Sequence, residues 1–206
     1  MSRVIEAFFE ELIRNKSFQV NWTDLCRNNL PLSFFERYID KIDWMTLCMN
    51  PYIDESFFES HPDRVYWHVL SQNERITEAF FERHIEKVHW THFCGNQGIS
   101  EEFFERHLDK LHWNMLSTNP RISEEFFDRH IDKVSWPRIF LNRNLSPQFF
   151  LRHISKIDKR TYWNNFSGYL ERIEKWRKML VDEQKNQSSL FSIVPMDVVN
   201  CVCDFL

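Results

Sequence analysis

Hydrophobic and polar positions follow one block that returns every 23 residues along most of the chain. Adjacent phenylalanines stand at 34/35, 57/58, 80/81, 103/104, 126/127 and 149/150, and Phe8-Phe9 precede them by 26. Tryptophans follow at Trp22, Trp44, Trp67, Trp90, Trp113 and Trp136, and asparagines at Asn28, Asn50, Asn73, Asn96, Asn119, Asn142 and Asn165. Seven copies of one unit are therefore present, and a period between about 20 and 50 residues is the signature of stacked repeats.

Each unit reads as two helices. Thr77, Ser100, Ser123 and Ser146, with Asp54 in the same column, stand where an N-cap belongs, followed by glutamates or by Pro147 at the first helical position. The spacing predicts a helix A of about ten residues, closing near the lysine column Lys41, Lys87, Lys110 and Lys133 and carrying Phe104, Leu108 and Leu111 at i, i+4, i+7. A shorter helix B of one and a half to two turns places Trp113 and Leu116 at i, i+3 and ends at the asparagine column, where Asn50-Pro51 and Asn119-Pro120 signal a turn. Helices this short are marginal alone and need stacked neighbours. Both rings of each phenylalanine pair are expected in the core, one facing helix B of its own repeat and the other the next repeat, and the tryptophan column is expected to be core as well. The asparagine is expected to cap helix B with its side chain or to take a left-handed turn conformation.

The ends depart from the period, as terminal repeats must. The seventh repeat has Lys159 in the tryptophan column and runs into a stretch where Ile173, Trp176 and Leu180 fall at i, i+3, i+7, read as a capping helix. Residues 182–189 are polar and 190–206 form an apolar tail. The expected fold is thus all-α, an α-solenoid of about seven 23-residue helical hairpins over residues 1–170, with a C-terminal capping helix, linker and tail helix over 171–206.

Composition narrows the function. The chain of 206 residues has 20 Phe and 8 Trp but only 3 Gly, a net charge of −4 and no run long enough for a membrane span. No basic surplus points to nucleic acid. Five cysteines without a secretory signal read as free thiols in a cytoplasmic protein. No phosphate-cradling loop, nucleophile elbow or H-E-x-x-H occurs, so no enzyme, metal or cofactor is expected. The histidine column His61, His84, His107, His130 and His153 is spaced by whole repeats, too far apart to share one zinc. His89, His92, Cys94 and His112 come closer to a ligand set, yet a structural or surface role is preferred. Cys26, Cys48, Ser71, Cys94 and Ser117 share a column that calls for a small side chain, and the acidic and basic columns of helix A read as a solvated, ion-paired face.

Columns that vary between copies carry the functional signal. Asp43/Tyr66/His89/His112/Ser135 and Met45/His68/Thr91/Asn114/Pro137 differ freely beside an invariant tryptophan. A partner face is free to differ in this way, and so are solvated positions under no constraint. The candidate partner-binding residues are Tyr66, His68, His89, His112 and Asn114.

The repeat, with its capped helix A, phenylalanine pair, D-K, Trp and N-P, resembles short helical repeat arrays encoded by giant DNA viruses of amoebae, over residues 1 to about 170. That resemblance implies an α-solenoid of viral source and no particular activity. The tail V-P-M-D-V-V-N-C-V-C-D-F-L, residues 194–206, resembles the opening helix of an F-box, and similar shortened modules end poxviral ankyrin-repeat proteins. It implies recruitment of a host Skp adaptor of cullin ubiquitin ligases through Pro195, Asp197, Val198, Val202, Phe205 and Leu206, although an F-box has further helices and this match covers about 13 residues. A tail helix folded back as a cap is the other reading. The expectation is a non-enzymatic protein-interaction scaffold, monomeric or homodimeric, in the cytoplasm of a host cell, and the alternative is an F-box-like substrate adaptor.

Overall fold

The computed structural model describes residues 2–15 and 19–156. Among them all regular structure is helical and no strand occurs, so the fold is an all-α helical repeat solenoid. The chain divides into two compact units, Met1–Ile122 and Ser123–Leu206, at a junction between repeats. In the first, A helices α1 (Ser2–Arg14), α3 (Leu32–Arg37), α5 (Glu55–Ser60), α7 (Glu78–Arg83) and α9 (Glu101–Arg106) alternate with B helices α2 (Trp22–Cys26), α4 (Trp44–Cys48), α6 (Trp67–Leu70), α8 (Trp90–Phe93) and α10 (Trp113–Leu116). The second holds α11 (Glu124–Arg129), α12 (Trp136–Ile139) and α13 (Pro147–Arg152). The expected capping helix and the F-box-like tail lie outside the described residues.

The helix starts follow the sequence. Thr77, Ser100 and Ser123 accept from the backbone N–H three residues on, and Asp54 from that of Ser56. Helix A is shorter than expected, six residues from α3 onward, because the chain leaves helical geometry at the histidine column: His107 caps α9 at φ −126° and ψ 36°. A turn follows, 3-10 in form over Ile85–Lys87, and then extended backbone at Val88. Helix B is also shorter, at four or five residues little more than one turn. The apolar column after helix A, with Ile42, Val65, Val88, Leu111 and Val134, is buried all the same. It is reached through the turn rather than along a continuous helix.

Both phenylalanines of each pair from α3 to α13 are at most 4% exposed. The first ring lies against the tryptophan of the preceding repeat: Phe57 on Trp44 at 5.5 Å, Phe80 on Trp67 at 5.9 Å and, in the second unit, Phe149 on Trp136 at 6.5 Å. The second ring works on more sides than expected. Phe81 meets Phe93 of its own repeat at 4.8 Å, Phe104 meets Phe93 of the preceding one at 5.9 Å, and Phe35 meets Phe57 of the following one at 6.3 Å. The tryptophans correct a further expectation. Trp44 is buried, but Trp22, Trp67, Trp90, Trp113 and Trp136 are half-buried, each covering the core from its edge instead of filling it.

The asparagines do more than cap. Asn50, Asn73, Asn96, Asn119 and Asn142 are buried, and each Oδ1 accepts from the backbone N–H two residues on, closing its own turn. In the first unit the Nδ2 groups donate backward across the repeat boundary: Asn50 to Cys26 O, Asn73 to Cys48 O, Asn96 to Ser71 O and Asn119 to Cys94 O, at 2.6 to 3.0 Å. Asn96 and Asn119 reach the carbonyl of the preceding asparagine as well. The turns lie so close that a Cβ on Gly98 would stand 2.7 Å from Glu74 O. Glutamates at the first position of helix A run the other way, Glu55 accepting from Thr77 N and Glu78 from Ser100 N at 2.5 Å.

Asn96→Ala leaves Gly98 N–H and two carbonyls without their partner, so chemical denaturation should show a loss of about 2 kcal/mol or more. Asn96→Asp, equal in size but lacking the donor, should lose as much, and an aspartate variant as stable as the parent contradicts the ladder. Phe103→Ala should cost about 3 to 5 kcal/mol and the half-buried Trp90→Ala clearly less. Equal losses would restore the tryptophan to the core.

Candidate functional site

The variable columns sit at the start of each B helix, and the fold uses them unevenly. Asp43 caps α4 with its side chain, accepting from Thr46 N at 3.2 Å and from the Thr23 and Thr46 hydroxyls. Burial opposes its ionisation, yet these hydrogen bonds outweigh it and hold the carboxyl below its usual range. Tyr66, His89 and His112 occupy the same cap position and make no side-chain cap bond. Their backbone N–H groups are what the fold takes. His89 N donates to Ser71 Oγ at 3.0 Å and His112 N to Cys94 Sγ at 3.3 Å, while Cys48 accepts from the backbone of Tyr66.

The small-residue column therefore needs a hydrogen-bond acceptor as well as small size, a requirement that cysteine and serine share. Burial pushes the Cys26, Cys48 and Cys94 thiols up to about 11, which leaves them protonated and unreactive in the folded protein.

All five sequence-derived candidates, Tyr66, His68, His89, His112 and Asn114, are exposed. The structure brings some of them together: Tyr66 lies 6.0 Å from His68, and His68 lies 6.3 Å from His89 by ring centroid. Three residues that the sequence reading left out of the face belong to it. His92 sits 4.6 Å from His89, and Met45 on α4 and Met49 at its C-terminal cap are 48% and 66% exposed. Met45 was visible as the second-repeat member of the His68/Asn114 column. Among the described residues no three His, Cys, Asp or Glu are arranged to hold a metal ion, and no helix is long and apolar enough to cross a membrane.

The face built by the A helices is occupied. Glu59 receives Arg83 and His84 of the next repeat, each at 2.8 Å. Glu82 receives His107 and Arg106, Glu10 receives Arg37, and in the second unit Asp128 receives Arg152 and His153. The charge columns expected as a solvated, ion-paired face are paired across repeat boundaries. Each histidine also lies on the first phenylalanine of its own repeat, 4.7 Å apart for Phe80 and His84. The histidine column is structural, as preferred from sequence.

No family model matches the chain, and neither a curated protein nor a solved structure does.

Hydrogen bonds from Arg83 and then His84 hold the Glu59 carboxyl below its ordinary value of 4.5. A carboxyl lowered on folding stabilises above its unfolded value, and that contribution is lost as pH falls through the folded one. Between about pH 6 and about pH 3 the melting-temperature gap between the parent and Glu59→Gln should narrow. A gap that stays constant contradicts the pairing.

Proposed function

We propose that the chain is a non-enzymatic scaffold that holds a protein partner on the face built by the starts of its B helices, with Tyr66, His68, His89, His112 and Asn114 as contacts. One observation carries this reading. At the cap position of α6, α8 and α10 the fold uses only the backbone, leaving exposed side chains free to be chosen for something else. Tyrosine, methionine and histidine there, in place of the ion pairs of the A face, also match the composition of interface centres, where aromatics and methionine are enriched and lysine and glutamate depleted.

The test compares proteins retained from cell extract by the immobilised chain, by a Tyr66→Ala/His112→Ala/Asn114→Ala variant, and by Lys110→Ala, which alters a paired residue of the A face. Retention by the parent and by Lys110→Ala, but not by the triple variant, is expected. A triple variant that retains the same proteins overturns the assignment.

The F-box-like pattern of residues 194–206 supports a second reading, an adaptor in which Pro195, Asp197, Val198, Val202, Phe205 and Leu206 engage a Skp adaptor while the solenoid holds the substrate. Binding of purified Skp adaptor by the full chain, lost on deletion of residues 190–206, is the outcome it requires, and a full chain that does not bind ends it.

A further inference from the structure

Apart from His112, the histidines of the described residues fall into two sets with opposite surroundings. Members of the periodic column lie beside a carboxylate of the preceding repeat, His61 with Glu36 at 3.5 Å, His84 with Glu59 at 2.8 Å, His107 with Glu82 at 3.3 Å. The second set, His68 on α6 with His89 at the N-cap of α8 and His92 on α8, faces itself. Its ring centroids are 4.6, 6.1 and 6.3 Å apart, and among the described residues none of the three forms an ion pair with a carboxylate.

The hydrogen-bond and ring partners of the set are neutral. His92 Nδ1 lies 2.7 Å from His68 O, a contact in which the ring N–H donates, and the Gln72 amide donates to the same carbonyl at 3.1 Å while its nitrogen stands 3.0 Å from His92 Nδ1. Tyr66 stands beside His68. Of the titratable groups in the equivalent positions on either side, Asp43 on the preceding helix has its carboxylate engaged by Thr23 and Thr46. Cys94 is a buried thiol that accepts from His112 N, and the His112 side chain is exposed. Three imidazoles in ring contact repel one another once protonated, and among the described residues no ion-paired carboxylate offsets that repulsion. A carboxylate brought from outside would.

We propose that His68, His89 and His92 form the docking point for an acidic segment of the protein partner, engaged as the imidazoles take up protons. The proposal rests on the B-face reading and names the chemistry of what that face holds. Imidazole changes charge between about pH 5 and 8. Because the acidic segment favours the protonated rings, linkage makes its affinity rise as pH falls through that range, until the segment's own carboxylates protonate near pH 4.

The experiment measures fluorescence anisotropy of a labelled peptide alternating Glu and Ser, against one alternating Lys and Ser, on the full chain with chelator present. Binding of the acidic peptide should be about tenfold tighter at pH 5.5 than at pH 7.5, within the usual range for two coupled binding events, and the basic peptide should not bind. His68→Gln/His89→Gln/His92→Gln, checked for unchanged helicity and melting, should lose the pH dependence. Binding equal at the two pH values, pH dependence that survives in the variant, or binding seen only when zinc replaces chelator would each overturn the docking point. The two readings fail separately. Partners lost with Tyr66→Ala/His112→Ala/Asn114→Ala but insensitive to pH leave the B face standing without this docking point.

Discussion

A buried asparagine that hydrogen-bonds to the turn of the repeat before it is the interaction on which the rest of this fold depends. Helices of four to six residues do not persist by themselves, since nucleation consumes most of what so few backbone hydrogen bonds return. Each B helix ends in a turn whose carbonyls need partners, and the neighbouring asparagine supplies them while closing its own turn through Oδ1. The same side chain thus completes one repeat and registers it on the last. Glutamate at the start of helix A does the equivalent at the opposite side of the hairpin, reaching forward to the next N-cap amide. The phenylalanine pairs supply the apolar burial that these polar links position.

Much of this was legible in the sequence because the chain repeats itself. The 23-residue period, the N-caps, the buried pair and the small-residue column are all fixed by comparing copies, and the structure agrees with each. The misreadings share a cause. Helix length was inferred from the i, i+4, i+7 spacing of Phe104, Leu108 and Leu111, but an extended step after a turn buries the last position just as well. Periodicity cannot distinguish a column that fills the core from one that seals its edge, so the tryptophans were placed too deep. Links between repeats, such as Asn96 to Ser71 O or Glu78 to Ser100 N, leave no local trace, since their partners lie 22 to 25 residues away.

The candidate face follows from the same division between what the fold uses and what it leaves. On the A side, carboxylate, arginine and histidine of successive repeats complete one another, and a substitution there is felt by a neighbour. On the B side the fold takes a backbone N–H through the Cys/Ser column and releases the side chain. That release explains why Tyr66, His89 and His112 can differ while Ser71 and Cys94 beneath them are restricted to small acceptors. His92 was missed as a member of the face because its column, in contrast to that of His68, was not compared between copies.

The central claim, that neighbouring repeats are held through the asparagine ladder, is tested most directly by amide hydrogen exchange on Asn96→Ala. If the ladder is continuous, protection should fall at Gly98 and also at Arg75 and Arg121, whose amides are held by Asn73 and Asn119 on either side. Loss confined to Gly98, with Arg75 and Arg121 protected as in the parent, would show that each asparagine closes only its own turn and would contradict the account.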